Sequence, residues 1–143
     1  IMLSTILQGD VMRIYVTHCS AKKDNSLKGT DKKVTPDRLY TAKPLQRFIS
    51  RCKEKKLHWA IFSSKYGVWF PHEEHEWYEK APATVTEQEF KNLVRDFEEK
   101  LRNYNEIYFY HNPGRFHSMY RRLLKEIKVK GKVTLFSHLV EIV

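Results

Sequence analysis

The chain has 143 residues, of which 41% are hydrophobic and 13% aromatic, a composition that excludes a disordered chain and provides for one domain with a substantial core. Two cysteines exclude a disulfide framework, and the sequence has neither a membrane-length apolar run nor a signal peptide. We therefore expect a cytoplasmic setting and no membrane partner.

The net charge of +9 is unevenly distributed along the chain. Residues 21–65 hold 13 Lys and Arg against 4 Asp and Glu, residues 66–111 hold 5 against 10, and residues 112–143 hold 7 against 2. Two basic segments thus flank an acidic one. If the basic segments meet in the fold, they form a positive face that suits phosphates; otherwise they are a solvated surface.

Residues 1–11 are apolar and lack a basic start, so we interpret them as an upstream or added segment before a natural start at Met12. They could instead form an additional strand or helix. We expect residues 12–143 to form a single α/β domain.

The first half of that domain alternates strand and helix. Residues 12–19 (MRIYVTHC) are typical of a buried strand, and a lysine-rich loop follows over 20–42. Helical spacing of Leu45, Phe48, Ile49 and Cys52 predicts the next helix, and residues 58–63 (HWAIFS) predict a second strand that leads into the loop SSKYG.

The second half continues this alternation. A capping box at Thr86 and Glu89 predicts a helix, followed by a strand over 106–111. Asn112 as N-cap and Pro113 at the first helical position predict a third helix, and residues 132–138 predict a last strand.

This order predicts a three-layer α/β sandwich with a mainly parallel sheet of four or five strands. The carboxyl ends of parallel strands share one edge of a sheet, where ligands bind. The polar and cationic residues that follow the strands are our candidate phosphate- or ligand-binding set: Ser20, Lys22, Lys23, Ser63, Ser64, Lys65, Tyr66, Asn112 and Arg115.

Each of these loops also has an ordinary structural interpretation. NPGRFH could bind an anion at a helix N-terminus or could simply be a well-capped helix start, and SSKYG could bind a ligand or close a glycine turn. No P-loop and no G-x-G-x-x-G occurs in the sequence, which disfavours the usual nucleoside-triphosphate enzymes.

The acidic segment PHEEHEWYEKAP contains His72 and His75, but their separation of three differs from the H-E-x-x-H zinc motif, so we expect a polar loop, no metal and no cofactor. Trp69 and Tyr78 could stack on a base or could anchor the core beneath this loop.

Three residues are candidate catalytic groups: Cys19, His111 and Glu76. Cys19 as a nucleophile requires a base. Neighbouring His18 is a poor one because adjacent strand residues point to opposite faces, whereas His111 or His138 could lie close across the sheet. The alternative is that Cys19 is a small side chain that fits a tight strand exit.

Three stretches together resemble a known family: THCSAKKD, the segment from RLYTAKP to HEWYE, and YFYHNPGRFHSMYRRLL. They are similar to a prokaryotic domain family with the motifs C-S/G-x-K-K, L-Y and S-x-K-Y/H-G. That family in turn is similar to an accessory domain of archaeal tRNA-guanine transglycosylase and archaeosine synthase proteins. The resemblance implies a uracil-DNA-glycosylase-like fold, although the glycosylase loop with its water-activating aspartate is missing here.

Three functions follow as hypotheses. The first is a domain that binds nucleic acid, most naturally RNA, or a nucleotide through its phosphates, and that serves RNA or modified-base metabolism. The second is an enzyme that cleaves an N-glycosidic bond. The third is a protein-interaction module whose aromatic loop contacts a partner.

Overall fold

The computed structural model describes residues 12–111 and 116–142. Residues 1–11, Asn112 and Arg115 therefore lie outside the described residues, together with the predictions made for them. The strands are β1 Arg13–His18, β2 Lys33–Val34, β3 Trp59–Ser63, β4 Gly67–Trp69, β5 His75–Glu76, β6 Glu106–Tyr110 and β7 Lys132–Phe136. The α-helices are α1 Pro36–Leu39, α2 Lys43–Glu54, α3 Glu87–Lys100 and α4 Ser118–Glu126.

Five strands form the central sheet in the order β4-β3-β1-β6-β7. β1 pairs in parallel with β3 and β6, and β6 pairs in parallel with β7. The short β4 runs antiparallel to β3 because the SSKYG turn reverses the chain. The predicted α/β class and the mainly parallel sheet are confirmed. A separate antiparallel pair, β2 with β5, was not predicted, since each strand has only two residues.

Helices pack on both faces of the sheet. Tyr110 of β6 stacks against Phe48 of α2 at 5.9 Å between ring centroids. Phe62 of β3 contacts Phe97 of α3 at 5.9 Å and Tyr120 of α4 at 6.1 Å. Because Tyr110 aligns with Thr17 of β1 whereas Phe62 aligns with His18, these contacts lie on opposite faces.

The starts of the two later helices differ in how well the sequence predicted them. The Thr86 side chain accepts a hydrogen bond from the Glu89 amide, and the Glu89 carboxylate accepts one from the Thr86 amide. The predicted capping box is therefore present. The last helix begins at Ser118, where the His117 side chain accepts from the Met119 amide at 3.0 Å. A helix that started at Asn112 would include Phe116 and His117. Both residues precede the helix, so the prediction is wrong at these two positions.

The strand order creates a topological switch point. From β1 the chain moves to β3 on one side, and from β3 it returns across β1 to β6 on the other side. The carboxyl ends of β1 and β6 therefore diverge into connections that leave in opposite directions. In open α/β sheets this is the crevice in which ligands bind.

Candidate anion-binding site

A cavity of about 620 Å³ opens at this switch point. Its floor is the end of β1, from Thr17 to Lys22, and the end of β6 at Tyr110. The start of α2, at Ala42 to Leu45, and Tyr120 of α4 form further parts of its wall. The cavity thus lies where the parallel topology predicts a ligand site.

Backbone hydrogen bonds place the loop after β1 against the start of α2. Lys23 forms an isolated antiparallel bridge with Tyr40. The amide of Thr41 donates to the Lys22 carbonyl at 3.2 Å, and the amide of Asp24 donates to the Leu39 carbonyl at 2.8 Å. These bonds bring the side chains of Lys22 and Lys43 to the same cavity although they are far apart in the sequence.

The N-terminus of α2 also faces the cavity. Its N-cap is Ala42, which offers no side-chain hydrogen bond, and its first turn contains no acidic residue. The first amides of a helix have no intrahelical acceptor and carry partial positive charge. This helix end therefore adds to the positive potential of the two lysines.

Among the described residues, no Asp or Glu lines this cavity. The charged residues that line it are Lys22 and Lys43, both exposed, and the other polar residues include Ser20 and His117. A cavity with cations and no carboxylate attracts anions.

Cys19 lies at the inner end of the cavity and is 9% exposed. Its Sγ is 3.2 Å from the Tyr120 hydroxyl and accepts from the Ser64 amide at 3.4 Å. Burial raises the pKa of Tyr120 above its ordinary value, so this phenol stays protonated. The His18 ring stacks on the ring of the same Tyr120 at 4.9 Å between centroids, and its Nδ1 contacts the Cys19 carbonyl oxygen.

The Cys19–Ser64 contact joins the first two predicted loops, CSAKK and SSKYG, at one edge of the sheet. The third loop, NPGRFH, is described at Phe116, whose ring is 5.5 Å from that of His18, and at His117, which lines the cavity. The convergence of strand ends therefore holds for the described parts of these loops.

Lys65 and Tyr66, however, do not join Lys22 in the first cavity. They line a second cleft of about 410 Å³ beside α3, together with Glu79, Glu89 and Asp96. The turn after β3 directs these side chains away from β1. The prediction that Lys22 and Lys65 belong to one ligand-binding set therefore needs correction, since Lys65 lines a cleft that contains carboxylates.

Ser63 closes the turn after β3 instead of facing a ligand. Its buried Oγ accepts from the amides of Lys65 and Tyr66 at 3.1 and 3.0 Å and donates to the Tyr78 hydroxyl at 2.9 Å. The Tyr78 and Tyr40 hydroxyls are 2.5 Å apart. Burial holds the pKa of both phenols well above the ordinary value, so they remain protonated and bind each other.

The predicted base-stacking role of Trp69 and Tyr78 does not fit their burial. Trp69 is 0% exposed and donates from Nε1 to the Glu73 carbonyl at 2.8 Å, while Tyr78 is 3% exposed. Neither ring has a face on which a base could stack. Both anchor the loop 70–80 to the core, the structural alternative considered for them.

Lys23 is held away from the cavity by aromatic rings. Its Nζ is 4.6 Å from the centre of the Tyr78 ring, and burial lowers its pKa. Lys23 therefore serves the packing of the loop after β1, whereas its neighbour Lys22 faces the cavity.

The remaining catalytic candidates are not among the residues that line the cavity. Glu76 is exposed on β5, where its backbone lies opposite that of Lys33 in the small sheet. His111 follows β6, donates its amide to the Phe136 carbonyl at 2.9 Å and packs its ring 5.2 Å from Phe116. Burial lowers the pKa of His111.

His72 and His75 do not form a metal centre with their neighbours. The His75 ring stacks on Tyr66 at 4.0 Å and an interplanar angle of 6°. In residues 12–111 and 116–142, no group of three His, Cys, Asp or Glu is placed to hold a metal ion. Within the same residues, no helix combines the length and apolarity needed to span a bilayer.

Sequence reasoning misses most residues of the cavity, among them Lys43 and Tyr120. Lys43 follows the lysine-rich loop and has no motif of its own, and Tyr120 fits the helical apolar stripe of α4. The Pro44 that marks the first turn of α2 is the available signal for Lys43, because it indicates that the preceding residue lies at a helix N-terminus.

Comparison of the chain with protein-family models, with curated proteins and with solved structures gave no match. The geometry of the cavity therefore carries the functional interpretation.

Proposed function

We propose that this protein binds a phosphate-bearing ligand, namely a nucleotide or the end of an RNA strand, in the cavity at the carboxyl ends of β1 and β6. The observation that carries the proposal is the convergence of Lys22, Lys43 and the N-terminus of α2 on one cavity that no described carboxylate lines. Ammonium groups and helix amides together are the usual protein ligands of phosphate.

The size and the walls of the cavity support a nucleotide over a bare anion. About 620 Å³ lies within the range of small-molecule sites. The wall also includes Leu45, Pro82 and Tyr110, which suit an apolar ring. A nucleotide combines such a ring with a phosphate at one end.

We further propose that the domain is of the uracil-DNA-glycosylase-like type and serves RNA or modified-base metabolism. The mostly parallel sheet and the contact between CSAKK and SSKYG at its edge support this proposal. Cleavage of an N-glycosidic bond is the less favoured function, because the acidic candidate Glu76 lies on β5, outside the residues that line the cavity.

The test replaces both cavity lysines. The Lys22→Ala/Lys43→Ala variant should bind nucleoside 5′-monophosphates at least about tenfold more weakly than the unmodified protein, because each lysine provides a charge-assisted hydrogen bond. Binding of a 5′-phosphorylated single-stranded RNA should also show a shallower salt dependence, by about 0.7 in log–log slope for each phosphate that the variant no longer neutralises. Isothermal titration and fluorescence anisotropy measure these quantities.

Lys65→Ala is the matched control, since it removes an exposed lysine from the second cleft. It should leave nucleotide affinity unchanged. Equal affinity of the double variant and the unmodified protein, with circular dichroism showing both folded, would remove the cavity from consideration. Binding of a protein partner that hardly responds to salt would favour the interaction-module hypothesis instead.

A further inference from the structure

We infer that His18 is a specificity-determining residue whose Nε2 accepts a hydrogen bond from an N–H or O–H group of the ligand. The inference rests on the proposed function and deepens it. It restricts the ligand class to phosphorylated molecules that carry a hydrogen-bond donor, such as sugar phosphates and nucleotides. Inorganic phosphate should bind with lower affinity.

The hydrogen bond at the other ring nitrogen determines which nitrogen carries the proton. His18 Nδ1 lies 3.0 Å from the Cys19 carbonyl oxygen. A carbonyl can only accept, so Nδ1 holds the proton in this contact. The neutral ring then presents a lone pair at Nε2.

That lone pair has no partner among the described residues. The His18 side chain is 9% exposed, and its Nε2 is buried without a hydrogen bond. The rings of Tyr120 and Phe116 lie at 4.9 and 5.5 Å, but they contribute packing, since the Tyr120 hydroxyl is engaged with Cys19. An unpaired buried polar atom is costly, and binding a donor would offset that cost.

The position of the ring connects this atom to the ligand site. His18 lines the same cavity as Lys22 and Lys43. Water does not reach Nε2 in this arrangement, so a ligand seated in the cavity donates to it after a small side-chain rearrangement of the kind common on binding. When the phosphate of a ligand binds Lys22 and Lys43, the sugar or base of the same ligand supplies the hydrogen-bond donor.

The ionisation of the ring is consistent with an acceptor. Burial lowers the pKa of His18, and the proximity of His111 adds to this effect. Tyr120 and Cys19 are the other titratable groups packed against the ring or its backbone contact. The imidazole is therefore neutral at about pH 7.5, the state in which Nε2 can accept.

The experiment compares inorganic phosphate, ribose 5-phosphate and the four nucleoside 5′-monophosphates by isothermal titration at about pH 7.5. His18→Phe should weaken binding of ribose 5-phosphate or of at least one nucleotide by about ten- to hundredfold, the loss expected for a buried hydrogen bond left unmade. Its affinity for inorganic phosphate should stay within about twofold. His18→Gln, which keeps an acceptor oxygen, should recover part of the affinity.

A spectroscopic measurement separates recognition from packing and does not depend on the variants folding. In protein labelled with ¹⁵N-histidine, the His18 resonances should show the Nδ1–H tautomer, and the Nε2 resonance should move when ribose 5-phosphate or a nucleotide is added. Inorganic phosphate should leave it in place. An Nε2 resonance that none of the donors moves, although they bind, would overturn the inference.

Failure of the inference and failure of the proposed function give different results. If Lys22 and Lys43 are needed for binding but His18→Phe binds every probe like the unmodified protein, the phosphate site stands and the role of His18 is refuted. If the unmodified protein binds neither these probes nor the 5′-phosphorylated single-stranded RNA, both proposals are refuted.

Discussion

At the scale of single residues, Gly67 shows how tightly the SSKYG turn is built. Its φ is +74°, and a Cβ at this position would come within 2.1 Å of the Asp96 carboxylate. That carboxylate accepts from the Val68 amide at 2.7 Å and pairs with Lys100 at 2.8 Å. The absence of a side chain at Gly67 therefore leaves room for the Asp96 carboxylate, whose hydrogen bond connects α3 to β4.

Gly67→Ala should lower the free energy of unfolding by more than the ~1 kcal/mol that a non-glycine residue costs in this conformation, because Asp96 also has to move. Urea denaturation monitored by circular dichroism measures the loss. Gly29→Ala is the matched control, since Gly29 has φ +78° but open space around it. Equal losses for the two variants would contradict the importance of the Asp96 contact.

At the scale of elements, the start of α3 is fixed by its capping box. The Glu89 amide donates to Thr86 Oγ1 at 3.1 Å, and Glu89 Oε1 accepts from the Thr86 amide at 2.8 Å. Lys80 adds an ion pair to the same carboxylate at 2.9 Å. One side chain thus joins the helix start to the preceding loop.

Thr86→Ala should reduce the free energy of unfolding by about 1 kcal/mol, the usual cost of losing an N-cap hydroxyl. Thr86→Ser keeps the hydroxyl and should recover most of that loss, as measured by the midpoint of thermal unfolding. If serine proved as destabilising as alanine, the packing of the threonine methyl group would be the cause instead.

Element order is the part of the fold that can be predicted from sequence, because hydrophobic periodicity reports which side chains are buried. The same periodicity says little about turns. The direction of Lys65 depends on the turn that Ser63 closes, and the approach of Lys22 to Lys43 depends on backbone bonds within a loop. The burial of Trp69 could not be predicted, because β4 has only three residues and is too short to show the alternation of buried and exposed side chains.

At the scale of the whole molecule, several titratable groups link folding to pH. Burial lowers the pKa of His18, His75 and His111 below the ordinary value of 6.5. The unfolded chain therefore takes up protons at these positions before the folded chain does. The stability that the neutral rings contribute is present above about pH 6.5 and declines as the pH falls below it.

We expect the free energy of unfolding, from urea titrations, to fall between about pH 7.5 and about pH 5.5. A second decline should begin below about pH 4.5, because hydrogen bonds lower the pKa of Glu87 and Glu89 in the fold, and protonation breaks those bonds. Replacing His18 and His75 by Phe should flatten the first decline and leave the second. Constant stability across the first interval in the unmodified protein would contradict this.

The backbone hydrogen bonds from the Thr41 amide to the Lys22 carbonyl and from the Asp24 amide to the Leu39 carbonyl have a kinetic consequence. They join the loop after β1 to the residues that lead into α2. The backbone that carries Lys22 and Lys43 is therefore already ordered before a ligand binds. The loop after β1 therefore loses little conformational entropy when a ligand binds. Encounter with an anion should then proceed at a rate governed by diffusion and charge, without a slow isomerisation step.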